Sequence, residues 1–264
     1  MSLMKAFFVG GLPLLLPWLL WCSAAVAKSE GSTALQPVRL VTKSWPGYTN
    51  PDHSGGYFAL VRQVLPAGEF QLQISFSNFN RAVVLVQKQQ AEMVLAVSAA
   101  DAGALLLSAA PIDADTVMAV FRTGMALPLV PSSAAVSPLE QYHLAWDLAY
   151  NYGKALGLTA PGFEVTDFQQ GLELVAKGRV DIYLAEASEL ALPANQQLLQ
   201  QLALQVAQIG QIPVYVGFTA SPSGQQLKQQ WDQHFALLRQ RGLLRHLYQQ
   251  YPGMVLLDCA EQNC

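Results

Sequence analysis

The chain has 264 residues, 52% of them hydrophobic and only 12% charged, with 15 basic against 18 acidic side chains and a net charge of −3. No basic patch is visible, which argues against a nucleic-acid partner. The length suits one large domain or two small lobes.

Residues 1–27 read as an export leader. Lys5 supplies the positive end, 6–21 is apolar apart from Gly and Pro, and Ala25-Val26-Ala27 is a small-x-small cleavage site. Pro13, Pro17 and the shortness of the apolar run argue against a membrane anchor. Trp21 stands where lipid modification at Cys22 would need a small residue. The expectation is cleavage after Ala27 and a periplasmic, monomeric mature protein. No later segment approaches the ~20 apolar residues that span a bilayer.

Residues 28–36 are polar and predicted to be flexible. A first strand is expected over 38–42, then a loop over 44–56 rich in Pro, Gly and aromatics, then a helix over 57–64. Alternating apolar and polar residues predict a strand at 70–76. A helix over 80–92 and a strand over 93–97 follow. Asp113 and Asp115 read as solvated loop residues ahead of a strand over 117–122. Residues 123–138, punctuated by Gly, Pro and Ser, make a connector between lobes.

Beyond it, strands at 142–146, 163–166 and 182–185 form a smaller sheet, with helices at 150–156 and 168–177. The run GLELVAKGRVDIYLAE (171–186) is especially informative: helix, stop at Gly178, strand, and a terminal Glu186. The clustered glutamines, Gln196-Gln197 and Gln200-Gln201, suit solvated helix faces. A strand over 212–219 returns to the first lobe, Ser221 caps a helix running to Arg241, Gly242 ends it, and 243–251 turns once or twice more.

Strands alternating with helices predict an α/β fold with largely parallel sheets. Crossings near 120–128 and 210–214 divide it into a discontinuous lobe (37–122 and 213–264) and an inserted one (123–212). Cys259 and Cys264, alone after cleavage, are expected to pair as a disulfide that pins the tail, since no His or third Cys lies near to make a metal site.

Four stretches in this order resemble the bacterial extracellular solute-binding proteins of family 3, the periplasmic polar amino-acid-binding type. They are FNRAVVLVQKQQAEMVLAV (79–97), the 171–186 run, PVYVGFTASPSGQQL (213–227) and FALLRQRGLLRHLYQQY (235–251). The resemblance implies a two-lobed flytrap of type II with a two-strand hinge, a ligand held in the cleft, and delivery to an inner-membrane ABC-type permease. It implies no cofactor. In that family an Arg of lobe one clamps the ligand's α-carboxylate and an acid of lobe two holds its amine. Five residues after Asp181 the acid falls on Glu186, but the Arg position falls near Asp101, and SAADAG (98–103) has no Arg. No guanidinium is available there for a bidentate carboxylate pair.

Further site candidates come from position. Trp45 and Tyr48, after the first strand, either form a stacking wall or plug the lobe edge, with Tyr57 a further aromatic beyond two glycines. Asn78 either faces the cleft or caps a helix, and Arg81 either contacts ligand or pairs on the surface. Ser98 and Asp101 follow a strand at its carboxyl end, where α/β folds bind ligands; Asp101 can also cap a helix. Asp147 and Tyr150 occupy the matching place in lobe two. A cleft lined by Asp101, Asp147 and Glu186 selects a small polar or cationic solute and disfavours a dicarboxylate.

Catalysis is not expected: there is no G-x-S-x-G elbow, H-E-x-x-H helix or phosphate-cradling glycine loop, and His53, His143, His234 and His246 lack metal spacing. Two alternatives remain, a sensing module for a membrane signalling protein and a flytrap dehydratase using a cleft acid.

Overall fold

The computed structural model describes residues 35–127, 137–148 and 150–257. The leader with Ala27, and both Cys259 and Cys264 with their expected disulfide, lie outside the described residues.

Among the described residues, nine strands form a single sheet. They are β1 (Gln36–Thr42), β2 (Phe70–Phe76), β3 (Met93–Ser98), β4 (Leu106–Leu107), β5 (Asp113–Arg122), β6 (Leu144–Asp147), β7 (Phe163–Val165), β8 (Ile182–Glu186) and β9 (Leu204–Phe218). Their order is β2-β1-β3-β9-β5-β8-β6-β7, with β4 also pairing to β9. β1, β2 and β3 run parallel at one end, as do β6, β7 and β8 at the other. Between them, β5 and β9 pair antiparallel along their lengths, from Asp113 opposite Val214 to Arg122 opposite Leu204. This long ribbon joins two separately packed halves.

Helices α1 (Gly56–Val64), α2 (Phe79–Gln87), α7 (Pro222–Gln240) and α8 (Leu243–Gln250) cover the first half. Alternation on the strands puts Val38, Leu40, Met93 and Leu95 with α1, α7 and α8 around Trp231, and Val41 and Val94 against Phe79, Ala82 and Val86 of α2. Ser221 caps α7 by accepting from the Gly224 amide, as expected, and Gly242 starts α8 in the left-handed region. Helices α3 (Tyr152–Ala155), α4 (Phe168–Ala176), α5 (Ala187–Leu190) and α6 (Pro193–Gln201) cover the second half. Asp167 caps α4 by accepting from the Gln170 amide. Gly171 lets α4 lie on Tyr183 of β8, because a Cβ there would meet the ring at 2.4 Å.

Ile112, just before β5, packs in one core, whereas Val117, Ala119 and Phe121 of β5 pack in the other. On β9, Ile212 packs with the second core and Val216 with the first. β9 begins eight residues earlier than the strand expected at 212, because LQVAQIGQ continues the pairing with β5. Asp113 and Asp115, read from sequence as solvated loop residues, are strand residues of β5, and Asp113 is buried.

Candidate functional site

A cleft of about 680 Å³ opens where the ribbon crosses between the halves. Its walls are the loop after β1, the ends of β3 and β8, the start of β5, and Tyr150 before α3. The loop after β1 is held by Thr49, whose buried Oγ1 donates to the Lys43 carbonyl (2.7 Å) and accepts from the Trp45 amide (3.0 Å). Gly55, at φ 111, closes the loop against the Tyr48 carbonyl, where a Cβ would come within 2.4 Å.

Five aromatics line the cleft. Trp45 lies 6.0 Å from Phe79, and Tyr48 lies 5.0 Å from Tyr57, between ring centroids. Tyr150 faces them from the second half and stacks on Tyr152 at 5.5 Å. Trp45 and Tyr150 line the opening from opposite halves. Lys43 sits over the Tyr150 ring at 5.5 Å, and Lys154 donates to the Ala100 carbonyl at 2.8 Å, so these contacts bridge the two halves.

Four carboxyl groups share the cleft: Asp101, Asp113, Asp115 and Glu186. A bulge in β3, with Ala96 at φ 57, breaks the strand's alternation between Val94 and Val97 and sends Ala96 and Ser98 to the cleft. Ser98 Oγ donates to Asp101 Oδ2 at 2.6 Å, and burial raises Asp101 above the usual carboxylate range. Asp113 accepts from the Tyr57 hydroxyl (3.0 Å) and from the Ala114 and Val255 amides (2.7 Å each). Burial nonetheless pushes it up to about 6. Through Val255, and through Tyr48 Oη donating to the Gly253 carbonyl (2.9 Å), the segment after α8 is fastened into the same wall.

Asp115 and Glu186 are hydrogen-bonded to each other, carboxyl to carboxyl. Burial first, then the Glu186 charge, drives Asp115 well above its ordinary value. Glu186 is also raised by burial, opposed by a bond from Ser188 Oγ (3.1 Å), by Asp115 and by Lys43. Glu189, one turn on, is pushed up to about 7 by burial and the Glu186 charge.

Of the residues expected at the site, Trp45, Tyr48, Ser98, Asp101, Tyr150 and Glu186 line the cleft. Asn78 does not: its side chain caps α2 by accepting from the Arg81 amide at 2.8 Å. Arg81 is exposed on α2, outside the cleft. Asp147 ends β6 beside the site without lining it, and its charge raises Glu186 from there. Asp101 caps no helix; it closes a turn with Ser98. Sequence reasoning missed Asp113 and Asp115. The signal lay in DADTVMAVFR, where the acids lead with no Gly or Pro break into a continuous apolar run bounded by Arg122. No Arg or Lys lines the cleft among the described residues, and there no three His, Cys, Asp or Glu side chains gather as metal ligands.

Neither a protein-family model nor a curated protein sequence matches the chain. Solved structures do. A histidine kinase sensor domain with similarity to periplasmic binding proteins superposes at TM-score 0.64, with 13% identity, over 84% of this chain and 99% of that one. An arginine transport-system periplasmic binding protein from Legionella pneumophila gives TM-score 0.59 and 10% identity over 82% and 99%. The GluR0 ligand-binding core from Nostoc punctiforme, bound to L-glutamate, gives 0.58 and 14% over 82% and 100%. The chain therefore has the two-lobed periplasmic-binding-protein fold, a ligand-binding architecture found in carriers and in a membrane sensor alike. No helix among the described residues is long and apolar enough to cross a membrane.

Proposed function

We propose that this chain is a periplasmic solute-binding protein that captures a small, positively charged polar solute between its lobes and delivers it to an inner-membrane ABC-type permease. The lobes divide between Ile112 and Val117 on one side and between Ile212 and Val216 within β9 on the other, and the ribbon of β5 and β9 is the hinge. One observation carries the ligand class: the cleft combines four carboxyl groups and five aromatic rings with no lining cation among the described residues. Carboxylates attract an ammonium or guanidinium group, and aromatic faces add cation–π attraction. Glu186 is the residue that holds the cation, with Trp45 and Tyr150 stacked about it. Asp101 stands where the resemblance would put a carboxylate-clamping Arg, so a ligand's carboxylate would meet a like charge. Turnover is not part of the function.

A second reading, a ligand-sensing module for a membrane signalling protein, is favoured by the similarity to the kinase sensor domain. Ligand capture is common to both readings. A thermal-shift panel of amines, guanidines, quaternary ammonium ions, amino acids, sugars and dicarboxylates tests it, since a ligand selective for the folded state raises the melting temperature. Cations should stabilise the protein, dicarboxylates should not, and Glu186→Ala should lose the response. Stabilisation by dicarboxylates, or an unaltered cation response in Glu186→Ala, contradicts the proposal. Uptake of the identified cation that fails when the gene is deleted supports the carrier; intact uptake with a lost transcriptional response supports the sensor.

A further inference from the structure

We infer that the cleft exchanges a proton for its cation: the Asp115 and Glu186 carboxyls share one proton until a cationic ligand settles against them, and then release it to solvent. The inference rests on the cationic-solute reading above and specifies how that site is regulated.

The geometry makes the exchange necessary. Asp115 lies on β5 at the floor of the cleft, two residues before Val117, and Val117 is the residue of β5 paired with Glu186 of β8. The two side chains are thereby held together by the sheet itself, with their carboxyls in hydrogen-bond contact. A hydrogen bond between carboxyls requires a proton on one of them, because two carboxylates offer acceptors only. A positive charge that takes the proton's place lets both ionise together; without one, the second proton leaves only at higher pH.

The surroundings favour holding that proton. Asp101 beyond β3, Asp113 on β5, Asp147 beyond β6 and Glu189 on α5 all add negative charge around the pair. Lys43 beyond β1 is the opposing cation; it lies 5.5 Å from the Tyr150 ring centroid and its charge lowers Glu186. Asp113 does not compete for the role, because three donors already fix its oxygens. A ligand ammonium or guanidinium reaching the pair meets one negative charge at first and two after the proton leaves. The proton passes from Asp115 to water, and no other bond changes.

Affinity for a cation should therefore rise with pH, approaching about tenfold per pH unit while the pair still holds its proton, and level off once it does not. Isothermal titration with agmatine, a guanidinium amine without a carboxylate, tests this in buffers of different ionisation enthalpy. The wild-type protein should release about one proton per agmatine bound at neutral pH. Asp115→Asn keeps a donor towards Glu186 but has no proton to lose. It should release none, lose the pH dependence, and match the wild-type affinity at the acidic end. Glu173→Gln, on α4 outside the cleft, should leave the proton count unchanged. Agmatine binding without proton release overturns the inference while leaving the cationic-solute reading standing. So does retention of the pH slope in Asp115→Asn, or its loss in Glu173→Gln. Absence of agmatine binding at every pH, alongside stabilisation by dicarboxylates, overturns both.

Discussion

Asp113 and Asp115 leave the same face of one strand, yet their surroundings give them different work. Asp113 is fixed by the Tyr57 hydroxyl and two amides, so it ties the segment after α8 to the cleft floor. Asp115 has Glu186 as its partner and is the group that gives up its proton in the exchange we propose. Carboxyls raised by folding make the folded state bind more protons than the unfolded chain, so stability falls as pH rises through their window. For Asp113 that window runs from an ordinary value of 3.8 to about 6, and for Glu189 from 4.5 to about 7. Glu92 and Asp181 are lowered, Glu92 chiefly by the Arg39 hydrogen bond against its burial and Asp181 by the His143 amide; they lose stability only in more acid solution. The ligand-free melting temperature should therefore be higher near about pH 5 than near about pH 8. Asp115→Asn should flatten that slope and melt above the wild-type protein at the alkaline end; a variant that melts below it there, with an unflattened slope, would show that the pair is not strained. Glu186 and Asp101 were legible in the sequence because each follows a strand end. Asp113 and Asp115 were not, because two acids just after Pro111 look like a turn ahead of the apolar run that marks the strand.

At the scale of elements, the unit formed by α4 and β8 positions Glu186, and its fit depends on a missing side chain. Gly171 lies against the buried Tyr183 ring, with the nearest ring atom 2.4 Å from where a Cβ would stand. Gly171→Ala should destabilise the protein by about 1–3 kcal/mol through overpacking, read as a lower urea midpoint. An unchanged midpoint would mean that α4 slides freely over the strand. This unit was readable because its helix and strand periods change cleanly at Gly178. The α2 to β3 passage was readable for the same reason, although the helix ends at Gln87 rather than near Glu92. Helices α5 and α6 were hidden: α6 buries no residue, so no apolar stripe marks it, and its glutamines show only that the face is wet. The first half of β9 was hidden too, because LQVAQIGQ is mostly half-exposed and gains its strand identity from β5 alone.

At the scale of the molecule, one sheet joins two packed halves, and among the described residues β9 contributes to the cores of both while β5 pairs alongside it. A bend in that ribbon moves the lobes as bodies, the usual hinge motion of ligand-closing proteins. Lys43 to Tyr150 and Lys154 to Ala100 are contacts that bridge the lobes over the cleft. Ligand charge is thus read at the place where the chain bends, since Asp115 lies on the hinge strand itself. The two-lobed architecture followed from the sequence through the order of its α/β units. The chemistry of the cleft followed only in part, because it is assembled from strands far apart in the chain and depends on which side of each strand faces the hinge. The central claim is that this cleft receives a cation and has no place for a carboxylate beside it. Arginine and agmatine share a guanidinium group and differ by one carboxylate, so their affinities measured side by side by titration calorimetry test it directly. Agmatine should bind more tightly than arginine; tighter binding of arginine would contradict the account.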